Sequence, residues 1–156
     1  VKGDPDVVAA LNELLTHELT AINQYYVHSK MCANWGYKAL AKKKRDEAME
    51  EMRHADALIE RILFLDGVPN MQRLGPVKVG EDAIEQHRLD LELEMTARER
   101  LNRFVELFRA KADNGTRLLA EHILKEEEDA VDWLETQIML VKELGKEHYL
   151  AQQLRE

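Results

Sequence analysis

The stretch DGVPNMQRLGPVKVG, Asp66–Gly80, decides how this chain folds. It holds two of the three prolines and three of the seven glycines. Proline removes a backbone donor and glycine is conformationally loose, so the stretch is a long crossover and not another helix. On both sides of it, apolar residues recur at the three- and four-residue steps of amphipathic helices. Upstream, the spacing predicts a first helix from about Pro5 to Asn34, striped by Leu11, Leu15, Glu18, Ile22 and Tyr25. A second runs from about Lys38 to Leu65, with Glu47, Glu51, His54, Leu58, Ile62 and Leu65 on its stripe. Downstream, a third from about Glu81 to Asp113 steps through Ile84, His87, Leu91, Glu94, Arg98, Leu101, Val105 and Phe108. A fourth, from about Thr116 to Gly145, steps through Ala120, Ile123, Glu127, Ala130, Leu134, Ile138 and Val141. The closing KEHYLAQQLRE reads as a short amphipathic helix carrying Tyr149, Leu150 and Leu154. WGYK (35–38) and DNGT (113–116) are tight, glycine-containing turns between antiparallel neighbours. Short, long, short connections predict an all-α four-helix bundle with one long crossover and a short fifth C-terminal helix.

The remaining composition narrows the function. At 156 residues the chain suits one domain, 1–156, and excludes separate cofactor and substrate domains. Twenty-two basic against 30 acidic residues give a formal charge of −8, which argues against nucleic acid or an anionic membrane as partner and suits cations. The single cysteine, Cys32, cannot form an internal disulfide, so a reducing cytoplasm is expected. No apolar run approaches the roughly 20 residues of a bilayer span, and VKGDPDVV has no signal-peptide core.

Glu18, Glu51, His54, Glu94 and Glu127 all stand in register with leucines and isoleucines. A lone buried glutamate is expensive unless it is paired or protonated, and any one of these has an ordinary explanation at a bundle edge. Four glutamates, one near the middle of each long helix, are harder to explain separately. Two divalent metals would balance the four carboxylates, and Glu51-x-x-His54 puts two ligands on one helix face. Oxygen donors with imidazole suit iron, manganese or zinc better than copper(I).

The chain resembles the bacterioferritins over essentially its whole length, through KGD, LTAINQYYVHSKM, NWG, EEMRHAD, ERILFLDGVPN, VGEDAIE, LDLELE, EEEDAVDWLETQ and YLAQQ. The resemblance implies a ferritin-like bundle and a hollow 24-subunit shell that stores oxidised iron and binds b-type haem between paired subunits. By motif, Glu18 and Glu94 would be terminal metal ligands, Glu51 and Glu127 bridging ones, and His54 a terminal imidazole. Tyr25 would be a redox-active or hydrogen-bonding neighbour, with core packing its alternative. Met52, within EEMRHAD, matches the axial haem methionine, supplied once by each of two subunits. Asp46 and Glu50 match positions that in related shells face the cavity and help iron cross from the centre to the mineral, with Asp standing where His is more familiar at position 46, so both would be metal ligands; otherwise they are a solvated face beside Lys42, Lys43 and Lys44. The resemblance also suggests a small ferredoxin-type electron donor.

One departure stands out. Members with a complete centre carry a second Glu-x-x-His on the fourth helix, but here the segment reads Glu127-Glu128-Asp129-Ala130. Asp129 lies two residues from Glu127 and points away from that face. Water or Glu47 could fill the gap. The expectation is therefore an iron-storage subunit with an impaired or asymmetric ferroxidase centre. The alternative is a ferroxidase-deficient subunit for haem binding, mineral nucleation and electron transfer, in a mixed shell with a catalytic paralogue. Met31, Met49, Trp35 and Trp133 read as packing residues. His28 reads as structural and His148 as solvent-exposed, while His17, His87 and His122 have no convincing partner set.

Overall fold

The computed structural model describes residues 1–156, all in helices or their connections. Helix α1 (Pro5–Trp35) starts where the Asp4 carboxylate accepts from the Asp6 backbone N–H at 2.8 Å. Pro5 fits its first turn, where a missing N–H costs nothing. The helix stops at Gly36, whose φ of 90° is the left-handed conformation that glycine adopts without strain. Helix α2 is Lys38–Phe64. Helices α3 (Ala83–Ala110) and α4 (Asn114–Leu144) begin at Asp82 and Asp113, whose side chains accept from the N–H groups of Glu85 and Thr116. Helix α5 (Lys146–Ala151) is shorter than its amphipathic pattern predicts. Tyr149 is buried, but Leu154 stays half exposed, because the Gln153 carbonyl accepts from Ala39 N at 3.0 Å and draws the chain across the start of α2.

The crossover runs the length of α1, and a polar ladder on that helix holds it. Asn12 donates to Val68 O at 3.1 Å and accepts from Asn70 N at 2.7 Å. Thr16 then accepts from Arg73 Nε at 3.2 Å, Thr20 from Gly75 N at 2.8 Å, Gln24 from Lys78 N at 3.1 Å, and His28 from Gly80 N at 2.9 Å. These side chains recur every four residues, so they form a slanting ridge along α1 and satisfy polar groups of a crossover that has no regular secondary structure of its own. The approach is close: a Cβ on Gly80 would lie 2.6 Å from Gln86 N. The path returns the chain to the far end of the bundle, so α1 and α4 run one way while α2 and α3 run the other.

The interior is layered. At one end Leu11, Leu15, Leu58, Ile62, Leu101, Phe108 and Ile123 belong to the main apolar core. At the other, Cys32, Leu40, Ala83, Ile84 and Tyr149 form a smaller apolar cap. Two polar layers lie between them, one of carboxylates and one built on Lys44 and Asp90. On α3 Asp90 and Ala97 are buried, whereas their neighbour Leu91, expected on the stripe, is only partly buried. Arg98 reaches solvent, donating to Glu128 at 2.8 Å, because a long cation gains more there than in a core. No helix is long and apolar enough to cross a membrane.

Candidate metal centre

Mid-height in the bundle, α1 supplies Glu18, α2 Glu51 and His54, α3 Glu94, and α4 Glu127. All five are at most 4% exposed. The donor atoms of Glu18, Glu51, His54 and Glu127 all lie within 4.8 Å of one another. His54 Nδ1 is 3.1 Å from Glu127 Oε1, 3.5 Å from Glu18 Oε2 and 3.8 Å from Glu51 Oε1. None of these approaches is aligned as a hydrogen bond, and both His54 nitrogens are unpartnered. So are Glu18 Oε2, Glu51 Oε2, Glu94 Oε2 and both oxygens of Glu127. Buried polar atoms are almost always paired, so this many orphans facing one another fit a divalent cation.

Without metal the cluster offsets its charge with protons. Burial, then Glu127 and Glu18, push Glu51 well above the usual carboxylate range. Burial and the Glu127 charge do the same to Glu94. Burial works against a charged imidazole, but contacts with Glu127 and Glu18 outweigh it and raise His54 to about 11. Burial would also raise Glu127, yet its contacts with Glu94, His54 and Glu51 hold it at about 2. Glu94 stands apart from the four-residue group, and its Oε1 accepts from the Tyr25 hydroxyl at 3.0 Å. Burial and the charge of Glu94 keep that phenol protonated far above its ordinary pKa.

Ala130 is buried at 4% exposure and has no donor to offer. Asp129 faces solvent and pairs with Lys125 at 2.5 Å, while Glu47 pairs with Lys43 at 3.0 Å. Met52, one residue from Glu51, is 50% exposed and turned out of the bundle. Asp46 pairs with Lys42 at 2.8 Å on the surface and does not join Glu50. Glu50 instead meets Glu126 and the Nε2 face of His54. His148 is exposed, as expected.

Above the carboxylates lies a layer that the sequence reading missed. Lys44, grouped with a solvated lysine face, is wholly buried. Its Nζ donates to Asp90 Oδ2 at 2.5 Å and lies 3.0 Å from His87 Nδ1. Asp90 Oδ1 also accepts from Gln24 Nε2 at 2.9 Å and lies 2.9 Å from His28 Nδ1. Burial would raise Asp90, but Lys44 and His28 hold it at about 2. His87 is driven down to about 2 by burial and then by the Lys44 charge, so it is neutral. Its Nδ1 accepts from Lys44, which puts its hydrogen on Nε2, 2.9 Å from the Tyr149 hydroxyl; that hydroxyl donates to Gln137 at 2.7 Å. The available signal was register: Lys44 stands seven residues before Glu51, on the same helical face.

Comparison with known proteins agrees with this architecture. The ferritin-like domain model matches residues 8–144. The bacterioferritin of Mycobacterium leprae is 49% identical over 97% of this chain and 96% of its own length. That of Streptomyces coelicolor is 48% identical over 97% of this chain and 90% of its own. Among solved structures, a mycobacterial bacterioferritin superposes with a TM-score of 0.97 at 50% identity, covering 98% of this chain and 95% of its own. BfrA from M. tuberculosis superposes at 0.96 with 48% identity, covering 97% and 94%.

Proposed function

The chain belongs to the bacterioferritins of the ferritin-like family, which makes it an iron-storage subunit, and on that premise we propose that its buried cluster is an asymmetric Fe(II)-oxidising centre. The observation that carries this reading is the uneven distribution of donors. The donor atoms of Glu18, Glu51, His54 and Glu127 lie within 4.8 Å of one another, whereas Glu94 stands outside that group. In the proposed second position Glu94 would share Glu51 and Glu127, and Ala130 would supply no imidazole. Fe(II) is the substrate. It displaces the protons held on Glu51, Glu94 and His54, and the carboxylates then offset its charge. The second Fe(II), with water in place of an imidazole, binds more weakly, so paired oxidation by dioxygen or peroxide is slowed. Tyr25 fixes one oxygen of Glu94 and places an oxidisable phenol one hydrogen bond from the metal site.

Met52 fits an axial haem ligand, since its half-exposed thioether is free to meet its counterpart on a second copy across a twofold axis. Haem bound there would supply one-electron transfer through the shell. We place the chain in a 24-subunit cytoplasmic cage, reduced by a ferredoxin-type donor. A second reading, a ferroxidase-deficient partner of a catalytic paralogue in a mixed shell, draws on the same Ala130.

Anaerobic Fe(II) titration of the homopolymer followed by oxygen tests the centre. One tight and one weak equivalent per subunit, with slow oxidation that rises at least about tenfold in Ala130→His, is expected. Two equally tight irons with rapid oxidation would sink the asymmetric reading. No oxidation until a paralogue is added would favour the mixed shell.

A further inference from the structure

Between α1, the crossover and α3 lies a cleft of about 240 Å³. Helix α1 contributes His17 to its wall, the crossover Pro76 and Lys78, and α3 Leu89, Leu93 and Arg100. None of Glu18, Glu51, His54, Glu94 or Glu127 lines it, so it is separate from the carboxylate centre. His17 is only 6% exposed, and its buried Nε2 has no hydrogen-bond partner. Buried polar atoms are almost always paired, so this nitrogen marks a missing partner. The charges around it are uneven. Glu92, the one carboxylate on the walls, is drawn to Lys78 Nζ at 2.6 Å, which leaves Arg100 without an acidic partner. Two cations therefore face one anion, in a chain whose formal charge is −8. Arg73 adds a further cation beside the cleft, its Nε 3.2 Å from Oγ1 of Thr16, which also lines it. Leu89, Leu93 and Pro76 give the same walls an apolar surface that a hydrated inorganic ion would not use.

We propose that this cleft binds a small organic polycarboxylate, held between Arg100 of α3 and Lys78 of the crossover and accepting a hydrogen bond from His17 Nε2 of α1. The planar guanidinium of Arg100 presents paired N–H donors that match one carboxylate. A second carboxylate meets Lys78, which gives up Glu92 for it. That exchange is cheap, because the side chains of Lys78 and Glu92 are 49% and 59% exposed and an exposed ion pair contributes little. The carbon skeleton rests on Leu89, Leu93 and Pro76. Inorganic phosphate would answer the charge and leave those contacts unmade. A bound polycarboxylate also ties the crossover to α3 at the point where Gly75 N donates to Thr20 and Lys78 N to Gln24, so it holds those two bonds closed. The site needs no metal, and it stands whether or not the buried centre oxidises iron.

Calorimetric titration of the iron-free assembled protein with tricarballylate, a tricarboxylate that lacks the hydroxyl of a strong iron chelator, tests the site. The wild type should bind one equivalent per subunit, and Arg100→Ala should weaken binding about tenfold or more. Arg100 is partly exposed, so its removal does not threaten folding. Arg98→Ala removes a cation two residues away that is already paired with Glu128, and it should bind like the wild type. Glu92→Gln should bind more tightly, since it removes the competing carboxylate. Hydrogen exchange of the Gly75 and Lys78 amides should slow when tricarballylate is added to the wild type and stay unchanged in Arg100→Ala. No saturable binding by about 10 mM, or equal affinity in wild type, Arg98→Ala and Arg100→Ala, would overturn the site. Displacement of tricarballylate by equimolar phosphate would overturn its assignment to an organic anion.

Discussion

Replacing Lys44 by methionine tests the buried layer above the metal centre. The substitution keeps most of the volume and removes a charge that is 0% exposed, leaving Asp90, also 0% exposed, without its cationic partner. Breaking a buried pair by removing one partner costs about 3–5 kcal/mol, chiefly because the remaining charge is left uncompensated. Asp90 gives an independent scale: a drop from 3.8 to about 2 is worth roughly 2–3 kcal/mol at neutral pH. Because this folded-state value is depressed, the wild type has that contribution above the unfolded value and loses it as pH falls through about 2. In Lys44→Met burial outweighs the His28 contact, so Asp90 takes up its proton at higher pH and the deficit shrinks in acid. The assay is urea unfolding followed by helical circular dichroism, at fixed protein concentration because assembly contributes to stability. Lys44→Met should lose about 3–5 kcal/mol at neutral pH, and the double variant Lys44→Met/Asp90→Asn should recover most of it. A loss below about 1 kcal/mol, or a double variant no better than the single one, would refute the account of Lys44 as counterion to Asp90.

Three further outcomes are expected. Anaerobic Co²⁺ affinity should rise with pH by up to about tenfold per unit for each proton displaced, since Glu51 and Glu94 hold protons well above the usual range; flat affinity across neutral pH would contradict that picture. Met52→Leu should abolish a bis-methionine haem spectrum while leaving helix content intact, and a retained spectrum would remove Met52 from the haem site. Gly80→Ala should cost about 1–3 kcal/mol in the same unfolding assay, because its Cβ would lie 2.6 Å from Gln86 N and disturb the Gly80–His28 bond; an unchanged midpoint would mean that the crossover yields freely there.

Much of this was legible before folding because helical periodicity is local. The stripes of α1 to α4, the glycine-rich turns and the proline-bearing crossover put Glu18, Glu51, His54, Glu94 and Glu127 on inward faces, and the structure buries all five. Periodicity has a resolution of about one residue in angle, which is why Arg98 and Leu91 were placed on a face that Ala97 and Asp90 occupy. A local pattern also assigns a lysine beside two other lysines to solvent, and Lys44 defeats that assignment because its partner lies 46 residues away.

By itself, then, the sequence determined the helices, their order, the donor types at the centre and the alanine at position 130. Only the tertiary structure decided which donors converge. It grouped four of the five, set Glu94 with Tyr25, turned Glu50 toward Glu126 and away from Asp46, and drew Lys44 into the core. The physical reason is range. Helix formation is settled by residues a turn apart, whereas the energy of a buried charge depends on what other helices bring within a few ångströms of it.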